Sequence, residues 1–183
     1  IPTGSELVLT TQAPEPGQVI EYNSIVLGAQ IAEVGGVSRT LPIVPDDKDR
    51  LRAALEDALG QNPDLILMLS GSSAGSRDFT AEIIQEKGEL LVHGVAVRPG
   101  HPVIMGVVNS TPVIGVPGYP VSAALTGEII VQPLLRHWLG LQPPVRPVVK
   151  AQITRKLLSP AGDDEFVRVV VGQVGQRTLA APL

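Results

Sequence analysis

The sequence predicts an α/β fold: three layers with a mainly parallel sheet, followed by the start of a small C-terminal β domain. Three observations carry this. Apolar runs of strand length alternate with stretches in which apolar residues recur every three or four positions. The strand-like runs stop abruptly in Gly, Ser, Asp or Pro, as crossover units require. Aromatic residues make up only 3% of the chain beside 19 Gly and 17 Pro, so the core must be aliphatic and the turns many.

The elements follow in order. "SELVLT" reads as a first strand, and "TQAPEPGQVI" connects it to a helix capped by Asn23 or Ser24, with Leu27, Ile31 and Val34 on one face and Gly35-Gly36 as its stop. "VSRTLPIVP" reads as a second strand. Asp46 and Asp47 then precede a helix whose Leu51, Leu55 and Leu59 share a face. "DLILML" is a third strand, short and apolar throughout, as a strand buried on both faces should be. After a loop of small residues a helix begins near Asp78, turns Ile83 and Ile84 inward and stops at Gly88. "ELLVHGVAV" and "PVIMGVV" are strand-like, and "NSTPVIGV" makes the latter one arm of a hairpin. "PGYP" turns the chain into a helix from about Val121 to Leu139, closed by Gly140.

The Pro-rich "LQPPVRP" marks a boundary, giving an α/β domain over residues 1–140 and an incomplete β domain over 141–183. In the second, "VVKAQITRKLL" and "EFVRVVVGQV" alternate apolar and polar residues as half-exposed strands do, with "SPAGDD" as their turn.

Composition narrows the function classes. A formal net charge of −4 supplies no basic face for nucleic acid. The absence of Cys excludes disulfides, thiolate metal sites and a Cys nucleophile. No run approaches the apolar length of a membrane helix, and the opening "IPTGSELVLT" lacks the basic start of a signal peptide, so a cytoplasmic protein is expected. The chain starts in a strand-like segment without Met, and the expectation is a piece of a longer protein with further fused domains.

In a parallel sheet, ligands gather beyond the carboxyl ends of the strands. That selects "PDD", "SGSSAGSRDF" and "VPGYPVSA". In the second, Gly71, Ser72, Ser73, Gly75 and Ser76 let backbone N–H groups converge without Cβ obstruction ahead of a helix, which suits a phosphate; the same residues would also serve a plain strand-to-helix turn. The loop matches neither common nucleotide-binding glycine motif. Pro117, Gly118 and Ser122 repeat the device after a later strand. Asp46, Asp47 and Asp78 read either as helix caps or as carboxylates converging on a hard cation such as Mg²⁺. Arg98 and His101 flank a Pro-Gly turn, exposed charges in one reading and oxyanion ligands in the other. His93 and His137 lack partners at metal-ligand spacing and read as structural.

"TGSELV", "NS" at 23–24, "PDDKDRL", "GSSAGSRDF", "HGVAVRPGHPVIMG" and "PVIGVPGYPVSA", in this order, resemble the molybdopterin-binding domain of the molybdopterin molybdenumtransferases, the MoeA and gephyrin E-domain family. The resemblance covers most of residues 1–140 and implies the MogA-like fold, with the tail as the start of that family's C-terminal β domain. It implies Mg²⁺-dependent insertion of molybdate into adenylylated molybdopterin with release of AMP, in a homodimer. It assigns catalytic positions to Glu6, Asp47, Asp78 and Arg98, the metal to Asp46, Asp47 and Asp78, and the phosphate-bearing ends of the pterin to the Gly71–Ser76 loop and the Gly118–Ser122 turn.

Several positions depart from the family pattern. Ser5 stands where an Asp is usual, Glu21 replaces an Asp, "GSSAGS" replaces a GGVSVG loop, His101 replaces a second Lys, and Tyr119 replaces an Asn. The exchange at 101 swaps a permanent cation for a group that ordinarily titrates near neutrality. Two rival readings follow: a molybdopterin adenylyltransferase, which the β tail and the missing GGTG loop oppose, and a non-catalytic pterin- or nucleotide-binding module derived from the enzyme.

Overall fold

The structure is a computed structural model that describes residues 1–70 and 79–183. Its central sheet contains β1 (Pro2–Thr3), β4 (Ile66–Ser70), β8 (Thr111–Pro117), β7 (Ile104–Val108) and β5 (Glu89–His93), side by side in that order. β1, β4 and β8 run parallel, and β7 is antiparallel to both of its neighbours. The outer elements are β2 (Leu7–Val8), β3 (Val19–Ile20) and β6 (Val97–Arg98), with helices α1 (Asn23–Glu33), α2 (Lys48–Leu59), α3 (Phe79–Lys87), α4 (Pro120–Thr126) and α5 (Gln132–Trp138).

Alternation along β4 builds a core on each face. Ile66 and Met68 pack with Leu51 and Leu55 of α2 and with Ile83 and Ile84 of α3. Leu69, with Leu67 beside it, packs with Leu27 of α1, Ala123 of α4 and Val131. Burial on both faces is why this run is apolar throughout. The predicted three-layer α/β architecture with a mainly parallel sheet is therefore present.

The winding reverses at β1. From β1 the chain passes through α1, on one face, to Val44, which bridges Thr3 on the side of β1 away from β4. It then crosses on the other face through α2 and enters β4 on the opposite side of β1.

The hairpin of β7 and β8 forms as predicted, turning at Asn109 and Ser110 with φ of 49° and 67°. Two successive positive φ values are the signature of a turn whose twist matches its strands. The helix predicted from Val121 to Leu139 runs from Pro120 to Trp138, with one π-helical turn at Gly127–Val131 between α4 and α5. The wide turn directly precedes Pro133, whose ring would meet the carbonyl four residues back in a regular α-helix. No helix among the described residues is long and apolar enough to cross a membrane.

Four expectations need correction. "SELVLT" does not supply the sheet strand: Pro2–Thr3 does, and the chain turns at Gly4, so that Leu7–Val8 pairs in parallel with Val19–Ile20 in a separate ribbon. "VSRTLPIVP" contributes a single bridge at Val44, since β1 offers only two residues and Pro42 and Pro45 remove donors. "ELLVHGVAV" breaks at Gly94, φ 89°, leaving Val97–Arg98 to pair outside the central sheet. In the tail, the hairpin joins β11 (Val169–Val174) to β12 (Arg177–Pro182), and only Gln152–Ile153, β9, pairs from the earlier run, parallel to β12. Val169 to Val174 are exposed at every position because no layer covers this sheet.

Gly88 ends α3 as expected, its N–H reaching the Ile84 carbonyl. Its reason for being Gly is different: a Cβ there would stand 2.0 Å from the Val107 carbonyl oxygen of β7. Gly88→Ala must push α3 off the sheet, and we expect a loss of about 1–3 kcal/mol of stability in denaturant unfolding, the cost typical of overpacking.

Candidate functional site

Strand register aligns the carboxyl ends of the parallel strands. Val44 bridges Thr3, Thr3 pairs with Ser70, and Ser70 pairs with Pro117, so four segments leave the sheet from one row. From that row α1 and α4 start on one face, and α2 and α3 on the other. In a parallel sheet wound this way, ligands gather beyond the row of carboxyl ends, where helix N-termini carry positive partial charge.

On the α1 and α4 side, the N-terminus of α1 is served by Glu21, correcting the expected Asn23 or Ser24 cap. The Glu21 carboxylate accepts from the Ser24 N–H at 2.9 Å and from its hydroxyl at 2.6 Å. Asn23 is thereby released to donate from Nδ2 to the Gly118 carbonyl at 2.7 Å. Because a trans peptide points its C=O and N–H in opposite directions, this bond turns the Tyr119 N–H away from Asn23. Pro117 and Ser122 are buried, and the Ser122 carbonyl accepts from the Thr126 hydroxyl at 2.8 Å. Glu21 and Asn23 shape this turn in ways the helix-cap pattern did not assign; the available signal was local, an acid three residues before Ser24 at the helix start.

On the acidic side the two aspartates take different structural parts. Asp47 caps α2, its Oδ1 accepting from the Arg50 N–H at 2.9 Å. Asp46 does not cap: its Oδ2 accepts from the Ser5 N–H at 3.1 Å, while its own N–H donates to the Ser5 hydroxyl at 3.0 Å. The second oxygen of each carboxylate has no protein donor among the described residues. Glu6 is half-buried in the same turn, with Oε2 only 2.8 Å from where a Gly4 Cβ would stand, and Gly4 itself has φ of 154°. Lys48, next along α2, is engaged by Glu82 at 2.7 Å and Glu86 at 2.6 Å; these hydrogen bonds raise its pKa and hold the Glu86 carboxyl below its usual range.

Two carboxylates with an open oxygen apiece fit a hard cation that otherwise takes water and phosphate oxygens. Among the described residues no group of three or more His, Cys, Asp or Glu side chains could hold a metal. Gly71, Ser72, Ser73, Gly75, Ser76 and Asp78 lie outside the described residues; their flanks, Ser70 at the end of β4 and Phe79 at the start of α3, open onto the row.

Arg98 and His101 sit on the connection from β5 to β7, which leaves the same edge of the sheet. With strands about 4.8 Å apart, its origin is roughly 24 Å along the edge from Val44. No hydrogen bond or ion pair joins Arg98 to Asp46 or Asp47, so the edge carries two stations. The tail reaches the second: β10 (Asp164–Glu165) pairs in parallel with β6, and the Asp163 carboxylate accepts from Arg98 Nε. His101 is exposed, and its carbonyl accepts from the Val95 N–H at 2.8 Å. A concavity of about 1070 Å³ lies elsewhere, along the flank of β1 and β4; it is lined by Leu27, Ile31, Leu65, Leu67 and Trp138 and holds none of the predicted site residues.

Residues 1–137 match the family described as "probable molybdopterin binding domain". Molybdopterin molybdenumtransferase 2 of Mycobacterium tuberculosis is 36% identical over 180 residues, covering 93% of this chain and 44% of the relative. The molybdopterin molybdenumtransferase of Bacillus subtilis is 29% identical over 184 residues, covering 100% of this chain and 43% of the relative. The crystal structure of a MoeA molybdopterin biosynthesis protein from Pyrococcus horikosii superposes with a TM-score of 0.82 at 34% identity, covering 99% of this chain and 43% of that one. The chain thus spans a little under half the length of these relatives. The chain therefore belongs to the molybdopterin-binding domain family, and over nearly its whole length it is similar to proteins named molybdopterin molybdenumtransferase (MoeA).

Proposed function

We propose that this chain is the domain of a molybdopterin molybdenumtransferase that holds adenylylated molybdopterin across the Thr3–Ser70–Pro117 row, where molybdate enters the dithiolene and AMP leaves. The observation that carries the reading is the register itself. Adjacent strand ends put the Gly4–Glu6 turn, the start of the Gly71–Ser76 loop and the Gly118–Ser122 turn on one rim. A pterin phosphate joined to a nucleotide needs two N–H-rich cradles, and in this reading the small-residue sequence after β4 and the turn after β8 would supply them, since Ser70 and Pro117 are paired neighbours.

Each residue has a task in this reading. Asn23 holds the Gly118 carbonyl, leaving the Tyr119 N–H directed at phosphate oxygens. Asp46 and Asp47, with Asp78 from the loop, would hold Mg²⁺, which supplies charge neutralisation at the phosphates as the adenylate departs. Glu6 lies in the turn beside them. Arg98 and His101, at the second station, would take the incoming oxyanion.

Asp47 separates structure from chemistry, because Asn caps a helix about as well as Asp but carries no charge. In the full-length protein with adenylylated molybdopterin, molybdate and Mg²⁺, we expect Asp47→Asn to melt within a degree or two of wild type, yet to release AMP at least tenfold more slowly. Asp47→Ala should in addition lose about 1 kcal/mol of stability with its cap. Equal AMP release by wild type and Asp47→Asn would refute the metal assignment. Tight binding of adenylylated molybdopterin by wild type with no metal-dependent AMP release would instead identify a binding module.

Removing the Asn23–Gly118 bond tests the second cradle. Asn23→Ala should weaken AMP binding severalfold, the effect of about 1 kcal/mol, measured by titration calorimetry on the full-length protein.

A further inference from the structure

The tail segment around β10 meets the α/β domain along β6, the strand that carries Arg98. Asp164 N–H donates to the Ala96 carbonyl at 2.8 Å, and Phe166 N–H donates to the Arg98 carbonyl at 2.7 Å, so the residues before and after the pairing clamp the backbone on which Arg98 sits. Asp163, immediately before the strand, accepts from Arg98 Nε. Its side chain is 16% exposed, whereas that of Arg98 is 55% exposed. The carboxylate is thus the anchored partner and the guanidinium the accessible one.

A guanidinium carries five N–H donors in a planar fork. With Nε taken by an anchored carboxylate, rotation about the end of the side chain is restrained, while the Nη donors make no ion pair or hydrogen bond with any described residue. An arginine held this way presents its outer edge in one orientation, which favours a planar, two-point grip on an oxyanion. The cost is a neighbouring negative charge, so orientation takes the place of raw attraction.

We propose that Asp163 is a positioning residue for the oxyanion substrate: the small β domain reaches across to the α/β domain and sets the Arg98 fork so that its Nη edge receives a tetrahedral oxyanion. This rests on the placing of Arg98 at the oxyanion station in the proposed function above. It makes the second domain part of the site. It also accounts for the exposed turn of "SPAGDD" being acidic where the ligand is an anion: the first acid is spent on arginine, and Asp164 and Glu165 engage β6 through their backbone.

The test varies molybdate, with tungstate as a second probe, in steady-state AMP release by the full-length protein. Asp163→Ala should raise the half-saturating oxyanion concentration about tenfold with a much smaller change in turnover at saturation, as loss of an orienting partner does. Asp163→Asn, whose amide oxygen still accepts from Nε, should fall between Ala and wild type, and it replaces the alanine variant if that one fails to fold. Arg98→Ala should raise the same concentration, and adding Asp163→Ala to it should change nothing further. If Asp163→Ala and Asp163→Asn leave oxyanion dependence unchanged, or tighten it, while Arg98→Ala weakens it, the positioning role is wrong and the site reading stands. If Arg98→Ala has no effect, the oxyanion station itself is wrong, and the role of Asp163 falls with it.

Discussion

The pairing of Thr3 with Ser70 and of Ser70 with Pro117 is the constraint on which the rest of the molecule depends. It aligns three strand ends to the residue. A one-residue slip would turn the apolar set of β4 inside out, sending Met68 and Ile66 to the α1 face and leaving Leu69 against α2. The two-sided core therefore enforces the register, and the register sets the rim. Binding geometry here is a by-product of core packing.

The rim combines fixed partial charges with a few placed side chains. Helix N-termini present donors that are already oriented, so an anion taken up there would meet little reorganisation cost. Side chains then stiffen the loops between strand and helix: Glu21 and Asn23 on one face, Asp46 with Ser5 on the other. The Ser5 position illustrates the economy. Where the family usually carries an acid, a hydroxyl and N–H latch Asp46 through two hydrogen bonds, keeping the turn closed with one negative charge fewer. His101 in place of a lysine lowers the positive charge at the other station, and the pairing of Arg98 with Asp163 lowers it further.

The tail is the part whose environment differs most from its pattern. Its last strand-like run was expected to be half-buried, but Val169, Val170 and Val171 are consecutive and every position from Val169 to Val174 is exposed. Among the described residues, the tail's partners outside its own sheet are few: Asp163 to Phe166 meet β6 and Arg98, and Arg146 pairs with Glu128 at 2.7 Å.

Strand and helix identities were legible wherever burial on both faces or a clean periodicity set them: "DLILML", the Leu51–Leu55 helix, the β7–β8 hairpin and the helix from Pro120. So was the family, because ordered motifs around Asp46, the loop after β4 and the "PGYP" turn survive as local sequence. Which of two neighbouring aspartates is held by Ser5, where the Asn23 amide is sent, and that Arg98 is met by Asp163 were decided by tertiary structure alone. Those choices depend on contacts between residues 41 to 95 positions apart, such as Ser5 with Asp46, Arg98 with Asp163 and Asn23 with Gly118. Local pattern encodes only what a residue's near neighbours in the chain can reward, and a side chain's hydrogen-bond partner is selected by the strand that the fold lays beside it.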